Sequence, residues 1–349
     1  MNQIKRVLAV ETSCDDTSVA IVESSGQVLT QVSAHQDLEH APYGGIVPEI
    51  ASRNHSIALL PLIQHSLDKS GLSWSDIHGL AVTNRPGLIG SLIVGIMTLK
   101  SISQAYNIPL IGVNHLEGHL LAPFLKDESY SPPADFNYPY IALAVSGGHT
   151  SLYWVKSFSE YVVIGSTKDD AAGEAFDKFA KMLGLGYPGG VQVDQNSKLG
   201  NKNKFQFPRS LISEDNLMMS FSGLKSSAHR LIEKMPKEEL EINRHDLCAS
   251  YQEAIVDVLV AKTVKAAQLY NCKKLVITGG VSANSRLRER FIELAPQYQI
   301  VIPPLRYCTD NAAMIGYTGI LRLNRGEKND LSLGPSPQLY DHDFTYDLQ

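Results

Sequence analysis

Two stretches decide the fold: RVLAVETSCDDTSVAIVE, residues 6–23, and YIALAVSGGHTSLYWVK, residues 140–156. Each is a pair of apolar, β-branched runs around a short polar turn, the pattern of a β-hairpin. They agree in detail. Val10 stands before the first turn as Val145 stands before the second, and Thr17-Ser18 follow one turn as Thr150-Ser151 follow the other. Outward from the hairpins the agreement continues. GLAVTNRPGLIGSLIVGIMTLKSIS, from Gly79, reads as strand, Gly/Pro turn and apolar-periodic helix. KLVITGGVSANSRLRERFIELA, from Lys274, reads as strand, Gly-Gly turn and amphipathic helix, with Ile277-Thr278 in the place of Val82-Thr83. IPLIGVNHLEGHLLAPFL, from Ile108, and YQIVIPPLRYCTDNAAMIGYTGILRL, from Tyr298, each run from a strand into a helix, the second helix starting near Asp310.

One α/β unit used twice, in the same element order, describes the actin/sugar-kinase/Hsp70-like (ASKHA) class, in which nucleotide binds in a cleft between two lobes. The proline-bearing ESYSPPADFNYP, Glu128 to Pro139, suits a linker between the halves. The second half carries an insertion, about 166–244, that the first lacks. The expected organisation is an N-terminal lobe over 1–130, a C-terminal lobe with its insertion over 138–325, and a tail over 326–349.

Composition fits a soluble globular chain of two lobes: 349 residues, 44% hydrophobic and 19% charged. No apolar run reaches membrane-spanning length, and the opening MNQIKRVLAVETS reads as a first strand rather than a signal peptide, so a cytoplasmic protein is expected. Cys14, Cys248, Cys272 and Cys308 form no C-x-x-C pair, which points to reduced thiols. The formal charge of −5 argues against broad non-specific nucleic-acid binding, so a nucleic-acid substrate would need local patches or a partner subunit.

The hexapeptide NHLEGH, Asn114 to His119, places two histidines on one helix face, four apart, where imidazoles ligate zinc or ferrous iron. Glu117 lies about 200° around the helix from His115, away from such an ion, so this is not the H-E-x-x-H of a zinc protease. It is left either to support a ligand from behind or to pack on the helix surface. An i,i+4 His pair also arises by coincidence. Here the duplication adds a third ligand: His115 begins the strand–helix step of the first half and Asp310 that of the second, so the two helix starts are expected to face each other across the cleft. Two His and one carboxylate leave open positions, as a catalytic Lewis acid requires. Gly118 reads as allowing close approach of a neighbouring element, or as fraying at a helix end.

Other candidates ring the same expected cleft. In VSGGHT, Gly147 and Gly148 suit positive φ and an anion held on backbone N–H groups, or an ordinary hairpin turn, with Ser146, His149 and Thr150 alongside. In ITGGVSAN, Asn284 is either a helix cap or a hydrogen-bond partner for a nucleoside. Asp170, Glu174 and Asp177 share a helix face. That face is either solvated and paired with Lys178 and Lys181, or it presents Asp177 to ribose hydroxyls. GYPGG then supplies a turn able to pass beside a ligand. His35, His40 and His55, around YGGIVPEIASRNH, read as surface or partner-contact residues.

ETSCDDT, YGGIVPEIASRNH, NHLEGH, VSGGHT, GEAFDKFAKMLGLGYPGG, SFSGLKS, GGVSAN and CTDNAAMIG occur in that order, and together the chain resembles the TsaD (Gcp) family over about residues 5–325. The resemblance implies an ASKHA-fold enzyme. It would transfer a threonylcarbamoyl group from threonylcarbamoyl-AMP to N6 of adenosine 37 in tRNAs reading codons that begin with A. It implies metal ligands at His115, His119 and Asp310, with Fe2+ or Zn2+ as the ion. It implies substrate contacts at Val145, Ser146, Gly147, Gly148, His149, Asp177, Gly190, Asp194 and Asn284. It implies a TsaB-like paralogue and a TsaE-like ATPase as partners, tRNA as substrate, and a separate synthase supplying threonylcarbamoyl-AMP. Asp15 is a further polar candidate without an assigned catalytic role. Arg85 stands where the family usually has glycine, which puts a tight turn or partner contact there in question. Two alternatives differ in their needs. An ASKHA ATPase or kinase requires a carboxylate and Mg2+ rather than a His pair, and a non-catalytic subunit of the same complex would lack the metal ligands.

Overall fold

Strand β1 (Arg6–Glu11) pairs antiparallel with β2 (Thr17–Glu23), the first expected hairpin, with Val10 opposite Val19 and Glu11 opposite Ser18. β3 (Val28–Ala34) extends it antiparallel, while β4 (Gly79–Arg85) and β5 (Leu110–Asn114) add parallel strands on the other side of β1, in the order β3-β2-β1-β4-β5. The computed structural model describes residues 3–336 and 338–348. It divides into two compact units, Met1–Ala134 with Arg306–His342, and Asp135–Leu305 with Asp343–Gln349.

Strand side chains alternate between faces, and both faces of the first sheet are covered. Leu8, Val10, Val19, Ile21, Leu80 and Val82 pack with Leu59, Ile63 and Leu67 of helix Pro48–Ser70 and with Leu92, Ile96 and Leu99 of helix Ile89–Tyr106. Val7, Ala9, Ala20, Val22, Ala81, Ile111 and Val113 pack with Met314, Ile315, Ile320 and Leu323 of helix Ala312–Asn324. Parallel strands buried on two faces carry continuous apolar runs, as β1 does over residues 7–10 and β4 over 80–82, with polar residues confined to the strand ends.

The second unit repeats the plan. Strands β6 (Tyr140–Val145), β7 (Thr150–Ser157), β8 (Glu160–Ser166), β9 (Lys274–Thr278) and β10 (Gln299–Val301) lie in the order β10-β9-β6-β7-β8, with β11 (Phe344–Tyr346) added parallel at the β8 edge. The pairing pattern matches the first sheet: β6, β7 and β8 are antiparallel, and β9 runs parallel to both β6 and β10. This is the duplicated α/β architecture of the ASKHA class. Between β8 and the long helix Lys237–Leu269 lie helices Ala172–Met182, Gly189–Ser197 and Ser222–Lys234, the insertion. Its expected end near 244 falls inside that long helix.

The boundaries differ from expectation at the C-terminal end. Helix Ala312–Asn324 follows β10 in the chain, yet it covers the first sheet. Its surface is cut to fit there: a Cβ on Gly316 would stand 2.9 Å from Val22 Cγ2 and 3.2 Å from Ala9 Cβ, and one on Gly319 would collide with Ala81. Larger residues would hold the helix off the strands. The segment after it is no detached tail. Asn329 donates its N–H to Leu110 O at 2.8 Å, Leu333 joins the core under β4 and β5, and Ser336 donates to Asn84 O at 2.9 Å. Among the described residues no helix is long and apolar enough to cross a membrane.

Candidate metal centre and cavity

Asn114 ends β5 and caps the next helix, accepting from Leu116 N at 2.9 Å through Oδ1 while Nδ2 donates to Leu339 O at 3.0 Å. The helix so started, His115–Leu121, is buried along its whole length and turns His115 and His119 toward one point. Asp310 arrives there from the turn before helix Ala312–Asn324, which Asn311 caps by accepting from Met314 N at 3.0 Å. All three residues therefore belong to the first unit. The expectation of Asp310 as a contribution from the second lobe is corrected, because the helix that follows it packs on the first sheet.

His119 Nε2 lies 3.1 Å from His115 Nε2 and 3.2 Å from Asp310 Oδ1, and His115 Nε2 lies 3.3 Å from the same oxygen. The three atoms form a nearly equilateral triangle. Ligand atoms about 2.1 Å from one tetrahedral ion stand about 3.4 Å apart, so the spacing of these three suits a single divalent cation. The chemistry of the donors also fits: two imidazole nitrogens and a carboxylate oxygen suit zinc or ferrous iron. These three are the one group of His, Cys, Asp and Glu among the described residues with metal-ligand geometry.

The other nitrogen of His115 is held as well. Nδ1 faces Glu11 Oε2 at 3.1 Å and Ser13 Oγ at 3.3 Å. Glu11 is fixed in turn by Ser13 N, which donates to Oε1 at 2.6 Å, and by the hydroxyl of Thr83, which donates to Oε2. A carboxylate behind a ligating histidine sets its tautomer and raises its basicity. Burial disfavours the charged form of His115, but Asp310 and Glu11 outweigh it and hold the imidazole well above its usual range. Burial likewise opposes ionisation of Asp310 and Glu11. The adjacent His115 prevails for both, with His119 adding to the effect on Asp310, and both carboxyls stay below the usual range. At His119 burial wins and the imidazole is held low, as a ligand requires.

Sequence reasoning missed Glu11 and Ser13. The available signal was a carboxylate at the end of an apolar strand, where the fully buried Glu11 must have partners. The acid between the histidines, Glu117, is also fully buried and bonds Arg322, not the ligands. Asp15 sits in the β1–β2 turn, its carboxyl raised by burial and further by Asp310. The Cys14 thiol beside it is pushed far up by burial and by Asp15, which disfavours the thiolate. His40 and His55, read from the sequence as surface or partner-contact residues, are fully buried. His55 Nε2 donates to Cys14 O at 2.9 Å and Nδ1 accepts from Thr17 Oγ1 at 2.7 Å, which braces the same turn. His35 is exposed, 2.8 Å from Asp16. Arg85 ends β4 in strand conformation and needs no positive φ, so the backbone accepts it in place of glycine.

In the second unit a cavity of about 400 Å³ gathers Gly147, Asp177, Gly190, Asp194 and Asn284, with Phe176, Val191 and Leu305 as apolar wall. Five of the expected substrate residues thus meet there, while Val145, Ser146, Gly148 and His149 lie in or beside the adjoining β6–β7 turn. Ser146 N donates to His149 O at 2.8 Å, and His149 N to Ser146 Oγ at 3.1 Å. Gly147 and Gly148 do not adopt positive φ. The glycine that does is Gly279, at +87°, where the GG turn closes on Val145. Several polar groups are already engaged. Asp177 Oδ1 accepts from Gly189 N at 2.8 Å and Gly190 N at 3.3 Å, starting helix Gly189–Ser197, and burial raises its carboxyl. Asp194 Oδ1 accepts from Ser285 N and Oγ at 3.1 and 2.7 Å. Asn284 is a cap, accepting from Leu287 N at 3.0 Å and donating to Gln252 Oε1 at 2.6 Å.

A family model described as TsaD, tRNA N6-adenosine threonylcarbamoyltransferase, matches residues 27–317. A Bdellovibrio bacteriovorus protein of that name is 64% identical over 343 residues, covering 98% of this chain and 99% of its own. A Syntrophus aciditrophicus protein of the same name is 47% identical, covering 94% and 95%. Among solved structures, HypF of T. kodakarensis superposes with a TM-score of 0.62 at 11% identity over 93% of this chain and 48% of its own, a likeness of fold alone.

Proposed function

The chain belongs to the TsaD family, tRNA N6-adenosine threonylcarbamoyltransferase, a family of transferases, and from that premise we propose the reaction and the role of each site. The donor is threonylcarbamoyl-AMP and the acceptor is N6 of adenosine 37 in tRNAs reading codons that begin with A. N6 attacks the carbamoyl carbon, a C–N bond forms, the bond to the phosphate oxygen breaks, AMP leaves and N6 gives up a proton. Exocyclic N6 is a weak nucleophile, so positioning and carbonyl polarisation carry the rate.

His115, His119 and Asp310 would hold one divalent cation, iron or zinc. When bound, it supplies Lewis-acid polarisation of an oxygen on the threonylcarbamoyl group. Glu11 keeps the proton of His115 on Nδ1 and so leaves Nε2 as the donor atom. The cavity at Asp177, Gly190, Asp194 and Asn284 takes the adenosine of the donor, and the Val145–His149 turn its phosphate or carbamoyl end. Because Asn284 and one oxygen of Asp177 are committed within the chain, their share is to shape the wall and offer remaining acceptor capacity. Asp15 adds a polar contact. A TsaB-like paralogue and a TsaE-like ATPase are the expected partners, with a separate synthase making the adenylate.

The observation that carries the reading is the convergence of His115, His119 and Asp310 in a chain of this family. The test is reconstitution with threonylcarbamoyl-AMP, unmodified tRNA and the partner proteins, followed by mass spectrometry of the nucleosides. Threonylcarbamoyl-adenosine at position 37 supports the reading, and its absence with verified partners sinks it.

A further inference from the structure

Glu117 and Gly118, the residues inside the histidine pair, both dock the ligand helix against helix Ala312–Asn324. Arg322 donates to Glu117 Oε2 twice, from Nε at 2.9 Å and from Nη2 at 2.7 Å, and its Nη1 donates to Glu327 Oε2 at 2.8 Å. Glu117 is fully buried and Arg322 is 5% exposed. At Gly118 the helices close up: a Cβ there would stand 3.0 Å from Ile315 Cδ1 and from Met314 Cγ. The helix carrying His115 and His119 is thus clamped, at Glu117 opposite those histidines and at Gly118 on its flank, to the helix whose lead-in carries Asp310.

Asn114 caps the N-terminus of this seven-residue helix and Glu11 and Ser13 hold Nδ1 of His115, but on the side of Glu117 apolar contacts alone would do little to fix its rotation or axial position. One residue of slip moves a side chain about 1.5 Å along the axis and about 100° around it, whereas metal ligands tolerate only about 0.2 Å. Two N–H donors converging on one carboxylate oxygen supply the missing direction. We propose that the Glu117–Arg322 pair is a positioning device, setting the register between the two ligand-bearing segments so that the three ligand atoms already converge when a cation arrives. Stability alone does not call for it, since a buried ion pair is often replaceable by apolar residues of similar volume without loss. The inference rests on the metal reading above.

The experiment uses the full chain with Co2+ alone as the probe. Affinity is read by competition with a chromophoric chelator, coordination by visible absorption, and folding by urea midpoint. Three variants accompany the wild type: Glu117→Gln, the double change Glu117→Leu with Arg322→Met, and His119→Ala. The double variant is expected to keep a urea midpoint near that of the wild type yet bind Co2+ at least about tenfold more weakly with an altered absorption band. Glu117→Gln is expected to fall between. Wild-type affinity and spectrum in the double variant would overturn the inference while leaving the metal site standing. If instead His119→Ala binds as the wild type does, or the wild type fails to bind, the metal reading falls and this inference with it.

Discussion

Glu11 accepts from Nδ1 of His115 at 3.1 Å, on the side of the ring opposite Asp310, which stands 3.3 Å from Nε2. One imidazole thus links a carboxylate fixed by the β1 end to a carboxylate that is free to ligate. Glu11→Gln keeps the shape and removes the charge. Its affinity for Zn2+ or Co2+ should fall about 10- to 100-fold, the usual cost of losing such a partner, with folding followed alongside by urea midpoint. Chelator competition on purified protein measures it. Unchanged affinity would show that Glu11 does not orient the ligand.

Removing a ligand itself should cost more. Lewis-acid stabilisation is worth several kcal/mol, so the combined His115→Ala, His119→Ala variant should transfer at least about a hundredfold more slowly. Stripping the wild type with a chelator should give the same loss, restored by Fe2+ or Zn2+. Full transfer by the double variant in the reconstituted reaction would end the metal role.

The hairpin echo was readable because strand patterning and turn residues are local, and the two sheets carry the same strand order. The pair His115/His119 was readable because i,i+4 spacing maps directly onto one helix face. What sheet a helix covers is not local. Helix Ala312–Asn324 follows β10, yet its apolar face and the close fit of Gly316 and Gly319 on Ala9, Val22 and Ala81 place it on the first sheet. For the same reason the partner of Glu117, 205 residues away, was invisible. His40 and His55 looked solvent-exposed because burial of a polar ring depends on partners elsewhere in the chain, here Thr17 Oγ1 and Cys14 O for His55. The glycines of VSGGHT and ITGGVSAN read alike, yet positive φ occurs at Gly279 and not at Gly147 or Gly148.

That contrast between glycines makes a paired prediction. At Gly279, φ is +87° and an added Cβ would run into the backbone of Val145. Gly279→Ala should destabilise by about 2 kcal/mol or more, from left-handed strain plus the clash. At Gly147 an added Cβ meets nothing within 4 Å. Gly147→Ala should leave the urea midpoint within about 0.5 kcal/mol of wild type. Because Gly147 lines the cavity, the methyl should instead appear as a raised KM for the adenylate in steady-state transfer assays. A stability loss at Gly147 equal to that at Gly279 would contradict the turn geometry.

An ion-pair cluster elsewhere in the second unit predicts an acid-sensitive stability. Glu253, with 9% of its side chain exposed, accepts from Arg286 Nε and Nη2 at 2.7 and 2.9 Å and from Arg290 Nη1 at 3.2 Å, which ties helix Ser285–Ile292 to helix Lys237–Leu269. Burial works against its ionisation, but Arg286 and Lys202 prevail and draw the carboxyl down from 4.5 to about 2. A folded-state pKa below the unfolded one means the unfolded chain takes up the proton first. The contribution is therefore complete above about pH 4.5 and is lost as pH falls toward 2. Glu253→Gln should cost on the order of 2 kcal/mol at pH 7. The gap in melting temperature between wild type and variant should then narrow steadily from pH 5 to pH 2, since groups remote from Glu253 titrate alike in both. Thermal melts of the two proteins across that range decide it. A gap that stays constant, or widens in acid, would mean that the Arg286–Glu253 pair does not hold these helices together.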